Sequence, residues 1–511
     1  MTGAARLLGH SRADERRLAR AELSFAEGQF AAEREELLQE RMREVGREPS
    51  VLIGTSAAGT EVRVPVRSLD SAHSEWSGGT GSGKSFLLVS MFDQLVGEML
   101  RGARVAIVFI VMQGFAGDHL LGAIGRRLLG ASAEARARIL RQLHVYRVFR
   151  GGRFLTPFSL TAPEPGVSSV EQGGAYAEVI EQMAAARMGG RQELSVARIL
   201  AAAIDLRIPL PGLPLALTRP DDFARRAAAL PNPALQSYFP ERFLRESQAG
   251  RDGILSRLDT ILKVRDIRLL LSGTERMPTE EMLSPGSITL IDLGGPPLAF
   301  EGARTLGALI LQLFGFAVFN PARRREGFAV LVGDELQQAI TPVSTRVIDA
   351  FVTTGRAHHV GFGICHQHTE QLSRELNELL TQNVRYRYAF RMSRAESGRL
   401  AEFMPEPDAT TSAHDLARRA ASLPPGRFYF TDRLGEVPSP IELTAPRVEV
   451  PSLDALPADL REALERGAHG ESRDVLASRL EAIERAALPP DGAPPTAPFA
   501  TPDLTRRRRR S

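Results

Sequence analysis

The chain has 511 residues but a single cysteine, Cys365, a single tryptophan, Trp76, and two lysines, Lys84 and Lys263. One cysteine excludes an internal disulfide and fits a reducing compartment. It also leaves no two-cysteine zinc pair. The nearby His358, His359, His366 and His368 do not repair this, because a strand would send Cys365 and His366 to opposite faces. No apolar core follows the first basic residues, so no secretory signal is expected. The longest apolar stretch, 306–319, is interrupted by Gln312. It falls short of a bilayer span and reads as a buried helix. An excess of one charge is missing too: 64 basic against 61 acidic residues leave a net charge of +3, so any nucleic-acid surface must be local. These absences predict a soluble, cytoplasmic chain, recruited to the inner membrane only through a partner. Its hydrophobic content of 43% is ample for a core, and its length predicts about two to four domains.

What is present centres on one stretch. Gly78-Gly79-Thr80-Gly81-Ser82-Gly83-Lys84-Ser85 fits the phosphate loop G-x-x-x-x-G-K-[ST]. The glycines let successive backbone N–H groups turn toward a phosphate. Lys84 would reach the β- and γ-phosphates of ATP, and the Ser85 hydroxyl would sit on Mg²⁺. Phe86-Leu87-Leu88-Val89 follows at once, as expected for a helix with its positive end at the anion. In a chain that uses arginine for nearly every cation, lysine survives where a compact ammonium suits the site better than a planar fork.

Residues 11–46 are charge-dense, with Leu23, Phe30 and Leu37 at heptad spacing. They predict a surface helix docked on another subunit or on its own chain. Two strands are expected around the turn 56–60. Phosphate loops normally follow a buried, near-continuous apolar strand, yet His73-Ser74-Glu75-Trp76-Ser77 is polar, so that strand is assigned by position rather than by pattern. Residues 105–112 read as a buried strand, and 145–148 as a short one. From 168 to 280 the period is helical throughout, with Thr218 as the expected cap of a helix at Pro220. Strands then alternate with helices: strand 288–293, helix 302–319, strand 328–333, helix 344–354, strand 360–365, helix 369–380 and strand 384–391. This predicts an α/β fold with a parallel sheet. The expected domains are an N-terminal helical extension (1–48), a motor core in two parts (49–167 and 281–447) around an all-α insertion (168–280), and a C-terminal extension (448–511). The last holds two charged helices near 452–467 and 472–487 and ends in Arg506–Arg510, read either as a solvated tail or as a binder of phosphate or an acidic partner.

Hydrolysis needs an acid for the metal and a base for water. Val330-Leu331-Val332-Gly333 runs into Asp334-Glu335, which supplies both: Asp334 to the metal side, Glu335 as general base. Asp292 reads as a strand-end residue beside the site. Arg356 could be presented to a neighbouring subunit's nucleotide, and Gln367 could report the γ-phosphate; ordinary surface roles stay open for both. Arg385, Arg387 and Arg391 alternate with Tyr386, Tyr388 and Phe390, giving one cationic and one aromatic strand face. The cationic face reads as solvated, nucleotide-facing or DNA-binding.

In this order (Gly54, His73, the loop Gly78–Ser85, an all-α insertion, Leu290–Leu293, Asp334-Glu335, Gly355-Arg356, Gln367, Asn383, Phe390-Arg391) the chain resembles the HerA/FtsK superfamily over roughly 50–440. It is most similar to TraG-like type IV coupling proteins and HerA-like helicases. The resemblance implies a RecA-like core, ATP and Mg²⁺ as cofactors, and a homo-oligomeric ring, usually hexameric, that pumps duplex DNA without sequence preference. A nuclease, relaxase or secretion system would be its partner. The resemblance supports Lys84, Ser85, Asp334, Glu335 and Gln367 in the site, with Arg356 and Asn383. An ATPase energising type IV secretion or another protein assembly, or a slow nucleotide-gated scaffold, are the alternatives. Two motifs depart from the family: the polar strand before the loop, and Gly114-Phe115-Ala116-Gly117-Asp118-His119, which keeps only Gly117 and Asp118 of the usual D-P-K-G-D-L.

Overall fold

A computed structural model describes residues 32–69, 72–113, 116–183, 190–296, 299–320, 327–367, 372–393, 396–397, 413–435 and 440–486. Leu23, Phe30, Gly114, Phe115, His368 and the arginine tail lie outside these residues. The strands in chain order are β1 (Ser50–Thr55), β2 (Glu61–Pro65), β3 (His73–Ser77), β4 (Val105–Val111), β5 (Leu143–Arg147), β6 (Phe154–Leu155), β7 (Ile288–Asp292), β8 (Phe328–Asp334), β9 (Val360–His366), β10 (Val384–Phe390), β11 (Arg427–Asp432), β12 (Ile441–Thr444) and β13 (Glu471–Ser472). Eleven of them form one sheet in the order β2-β1-β12-β11-β10-β3-β9-β8-β4-β7-β5, and β6 pairs with β13 apart from it.

The run from β10 to β5 is wholly parallel, and the other end of the sheet is antiparallel. Helices cover both faces, as a parallel sheet requires. On one face pack α1 (32–45), α2 (Lys84–Leu100) and α3 (Ala116–Leu129), the last followed by α4 (Ala133–Arg141). On the other lie the helices between Ser169 and Met282, with Phe300–Phe319 and Pro342–Thr354. No strand occurs from 169 to 282 among the described residues. Tyr176, Ile199 and Leu258 of this segment share a core with Val108 and Ile110 of β4, so it is continuous with the core of the sheet.

Several local expectations shift. The face of α1 that packs on its own chain is Leu38, Met42 and Val45, whereas Leu37, the described member of the heptad, is 60% exposed. The helix at Pro220 begins where expected, but its cap residue is Arg219; the Thr218 hydroxyl is committed to Leu215 O at 2.7 Å. Phe300–Phe319 is 20 residues long, enough by length and composition to cross a bilayer, but 78% of its apolar window is buried in the protein, which marks a core helix. The last two helices are Ala458–Arg466 and Arg473–Ala486; Pro457 holds the first to a later start than expected.

Candidate active site

Strand order assembles the site. β3, β9 and β8 are adjacent and parallel, so their carboxyl ends lie side by side. Their register sets Ser77 opposite His366 and Asp334 opposite Cys365. The phosphate loop, Gln367 and Asp334-Glu335 therefore emerge next to one another, at the strand ends where open α/β sheets bind ligands.

The loop is pinned from outside itself. Gly79 N donates to Arg391 O at 2.8 Å, and Gly426 N to Ser82 O at 2.8 Å. Two glycines are obligatory. Gly78 has φ 146° and an added Cβ would lie 2.7 Å from Phe390 Cβ; Gly83, at φ 109°, caps α2 with the Gly426 backbone 3.0 Å from where its Cβ would be. Lys84 is buried and donates to Gly78 O and, at 3.2 Å, to Gly79 O. Ser82 Oγ, in the same loop, is buried without a partner.

Ser85 Oγ donates to Asp334 Oδ2 at 3.4 Å. Asp334 Oδ1 is buried with no hydrogen-bond partner. Burial, above all, raises the Asp334 pKa from 3.8 to about 6; the Cys365 thiol opposes this by hydrogen bonding, and Glu335 adds repulsion. An orphaned carboxylate oxygen beside a hydroxyl is a hard-oxygen set that fits Mg²⁺. Glu335 has φ 58°, a left-handed conformation that a non-glycine residue adopts at a cost of about 1 kcal/mol or more. It turns the chain so that Oε1 accepts from Gln367 Nε2 at 2.8 Å, while Gln337 Nε2 serves Oε2. Thr80 Oγ1 donates to Gln367 Oε1 at 2.7 Å. One amide side chain thus ties the phosphate loop to the acid pair.

The polar β3 is a true central strand. Glu75 accepts a hydrogen bond from His366 Nε2 at 3.0 Å and lies 3.5 Å from Arg387 Nε. Burial raises its pKa, but Arg387 and His366 outweigh that and hold it at about 2. Trp76 stacks on Tyr388 with centroids 4.9 Å apart, and His73 Nδ1 accepts from Phe362 N at 3.1 Å. Neither Cys365 as a neighbour of Asp334 nor this cross-strand triad was foreseen; both depend on register that no local pattern carries.

Other expected residues lie elsewhere. Arg356 precedes β9 at the sheet end opposite the loop, near His73, whose pKa falls to about 4 through burial and then Arg356. The length of β3, roughly 16 Å, separates it from the loop of its own chain. Asp292 is not beside the site, because β4 intervenes between β7 and β8. It is a buried ion-pair centre, 3.0 Å from Arg150 Nε, against which only Gly117 fits: a Cβ there would lie 2.2 Å from Asp292 Oδ2. Asp118 pairs with Arg147. Asn383 ends its helix with its amide on Leu379 O at 2.9 Å. On β10, Arg385 is paired with Asp432 at 3.0 Å and Arg387 with Glu75, so most of the cationic face is used inside the protein; Arg391 is exposed beside the loop.

No family model matches the sequence, and no curated protein does. Solved structures do. VirB4 of Thermoanaerobacter pseudethanolicus superposes with a TM-score of 0.50 at 14% identity, over 78% of this chain and 96% of that one. The chain shares the VirB4 fold. It agrees with the α/β P-loop architecture that the motifs imply. The bacterial conjugative coupling protein TrwB gives 0.49 at 14% identity over 80% of this chain and 92% of its own. The genome packaging NTPase B204 of Sulfolobus turreted icosahedral virus 2, in complex with ATP-gammaS, gives 0.29 at 10% identity over 74% and 99%.

Proposed function

We propose that the chain is an ATPase of the HerA/FtsK type that works as a homo-oligomeric, hexameric ring and moves duplex DNA without sequence preference. The observation that supports the ATPase reading is the link Thr80–Gln367–Glu335 alongside Ser85–Asp334. It joins the residues that would hold a triphosphate to the residue that would activate water. Mg²⁺ at Ser85 and Asp334 would neutralise charge on the phosphate oxygens. Lys84, now on loop carbonyls, supplies the ammonium for the β- and γ-phosphates. Glu335 Oε1, the oxygen shared with Gln367, accepts the proton of the attacking water once that amide turns away. Gln367 thereby couples the occupancy of the loop to the freedom of the base. Arg356 serves a neighbour's site across the ring, since it cannot reach its own.

The reading keeps a motor core at 49–167 and 281–447 around an all-α insertion at 168–280, in a cytoplasmic chain that a partner such as a relaxase, nuclease or secretion system brings to the inner membrane. The DNA substrate rests on the motif resemblance. The internal pairing of Arg385 and Arg387 favours the second reading, an ATPase that energises protein secretion or assembly. ATP turnover with and without mixed-sequence duplex separates them: DNA stimulates the pump and leaves the secretion motor unchanged.

A further inference from the structure

At the far edge of the sheet, three elements distant in sequence bring together a donor set that the ATPase reading does not use. β5 is the last strand, and its outer side is taken by the turn after the helix Ala458–Arg466: Ala468 N donates to Leu143 O at 2.7 Å. Gly467, at φ 58°, is what lets the chain come so close, since a Cβ there would lie 2.7 Å from that same oxygen. This places His469 over His144 of β5, with ring centroids 5.3 Å apart and 27° between the planes. Glu281, from the short helix Thr279–Met282, completes the group; its Oε2 is 3.9 Å from His469 Nε2. One ligand atom from each of the three lies within 4.8 Å of the other two.

A second observation points to something bound here. His144 is 3% exposed, and its Nδ1 is buried with no hydrogen-bond partner. Thr289 Oγ1, level with His144 in the β5–β7 register, is likewise buried and unpartnered. So is the hydroxyl of Tyr146, two residues on along the same strand face. Buried polar atoms are almost always satisfied, and a local cluster that is not calls for an ion or ordered water.

We propose that His144, Glu281 and His469 hold a divalent transition metal, zinc by their chemistry, and that it clips the C-terminal segment to the edge of the sheet. Two imidazoles and a carboxylate are a zinc donor set that leaves one position for water. Ligand distances of about 2.0–2.1 Å set tetrahedral donors roughly 3.3 Å apart. Closing from separations of at most 4.8 Å falls to rotations of two exposed side chains, Glu281 and His469. Thr289, opposite His144 in the register, and Tyr146, two residues along β5, carry the buried hydroxyls nearest to His144 along the strands.

The test uses the full chain, stripped with chelator and titrated with Zn²⁺ by calorimetry without nucleotide or Mg²⁺, with Co²⁺ as the spectroscopic probe. The expected result is one equivalent bound and a tetrahedral Co²⁺ spectrum. His469→Ala and Glu281→Gln, both at exposed positions that leave the fold intact, should each weaken Zn²⁺ by about a hundredfold, no less than the loss of an outer-shell partner costs. Zinc should slow amide exchange in 458–470 of the wild type and in neither variant. No Zn²⁺ bound at micromolar free metal, or equal binding by the wild type and both variants, would overturn the site.

Discussion

Replacing Asp334 with asparagine should make the protein more stable and inactive at once. Asp334 is 3% exposed, and its pKa is raised from 3.8 to about 6, chiefly by burial. A folded pKa above the unfolded one means that the ionised form costs stability. That cost is absent below about pH 4, grows as pH rises toward 6, and is complete above it. The shift is about two units at 1.36 kcal/mol each, so ionisation at pH 7.5 costs the metal-free protein about 3 kcal/mol. Asparagine removes the charge and keeps an acceptor for the Cys365 thiol. Asp334→Asn should therefore gain about 1–3 kcal/mol at pH 7.5, a rise in Tm of roughly 1–3 °C for a chain of this size. Lowering the pH from about 6 to 4 should close the gap. Mg²⁺ with ADP should raise the wild-type Tm by more than the variant's. Thermal melts across pH 4–8 decide it. A variant less stable than wild type at pH 7.5, or a gap that does not change with pH, would refute the argument that this carboxylate is held at a cost in order to meet a metal.

Lys84→Ala should weaken both ATP binding and turnover, whereas Glu335→Gln should bind labelled ATP normally and fail to hydrolyse it; turnover at the wild-type rate in the latter would show the base to be another residue. Gln367→Ala should keep nucleotide affinity within a few-fold and leave kcat undiminished, since it removes the amide that occupies Glu335 Oε1 and touches neither Lys84 nor Asp334; a large fall in kcat would show that the amide assists the base instead of holding it. Arg356→Ala and Glu335→Gln proteins, each inactive, should recover activity when mixed, because one supplies the arginine and the other the base at a shared interface; no recovery at any ratio would remove Arg356 from the site.

The phosphate loop was legible because its chemistry is contiguous: eight residues in a row carry the glycine φ requirements, the ammonium and the hydroxyl. Asp334-Glu335 was legible because a buried apolar strand ending in two acids is rare for any other reason. The strand before the loop, His73–Ser77, was legible by position but not by its pattern. Its polar residues are satisfied by partners on other strands, Glu75 by His366 and Arg387, Trp76 by Tyr388, and His73 by the Phe362 N–H. A pattern read along one strand cannot see partners more than 280 residues away. The cationic face of β10 misled for the same reason: Asp432 and Glu75 absorb Arg385 and Arg387 from neighbouring strands. Gln367 was placed correctly at a strand end, but its bond to Thr80 joins residues 287 apart and exists only because β3 and β9 are neighbours. The His144–Glu281–His469 group had no sequence signal at all, since it is assembled by an edge strand, a short helix and a glycine turn.

The most direct test of the account is steady-state ATP turnover of the full chain against mixed-sequence duplex DNA at two salt concentrations. A DNA pump that binds through phosphates must release counterions. With about six phosphate contacts its affinity should fall by roughly a thousandfold between about 50 and 200 mM salt. The account predicts turnover that rises with DNA at low salt, independent of sequence, loses that response at high salt, and vanishes in Glu335→Gln. ATP turnover that is intact and abolished by Glu335→Gln, yet unmoved by any DNA at low salt, would contradict the DNA pump and leave the secretion or assembly motor.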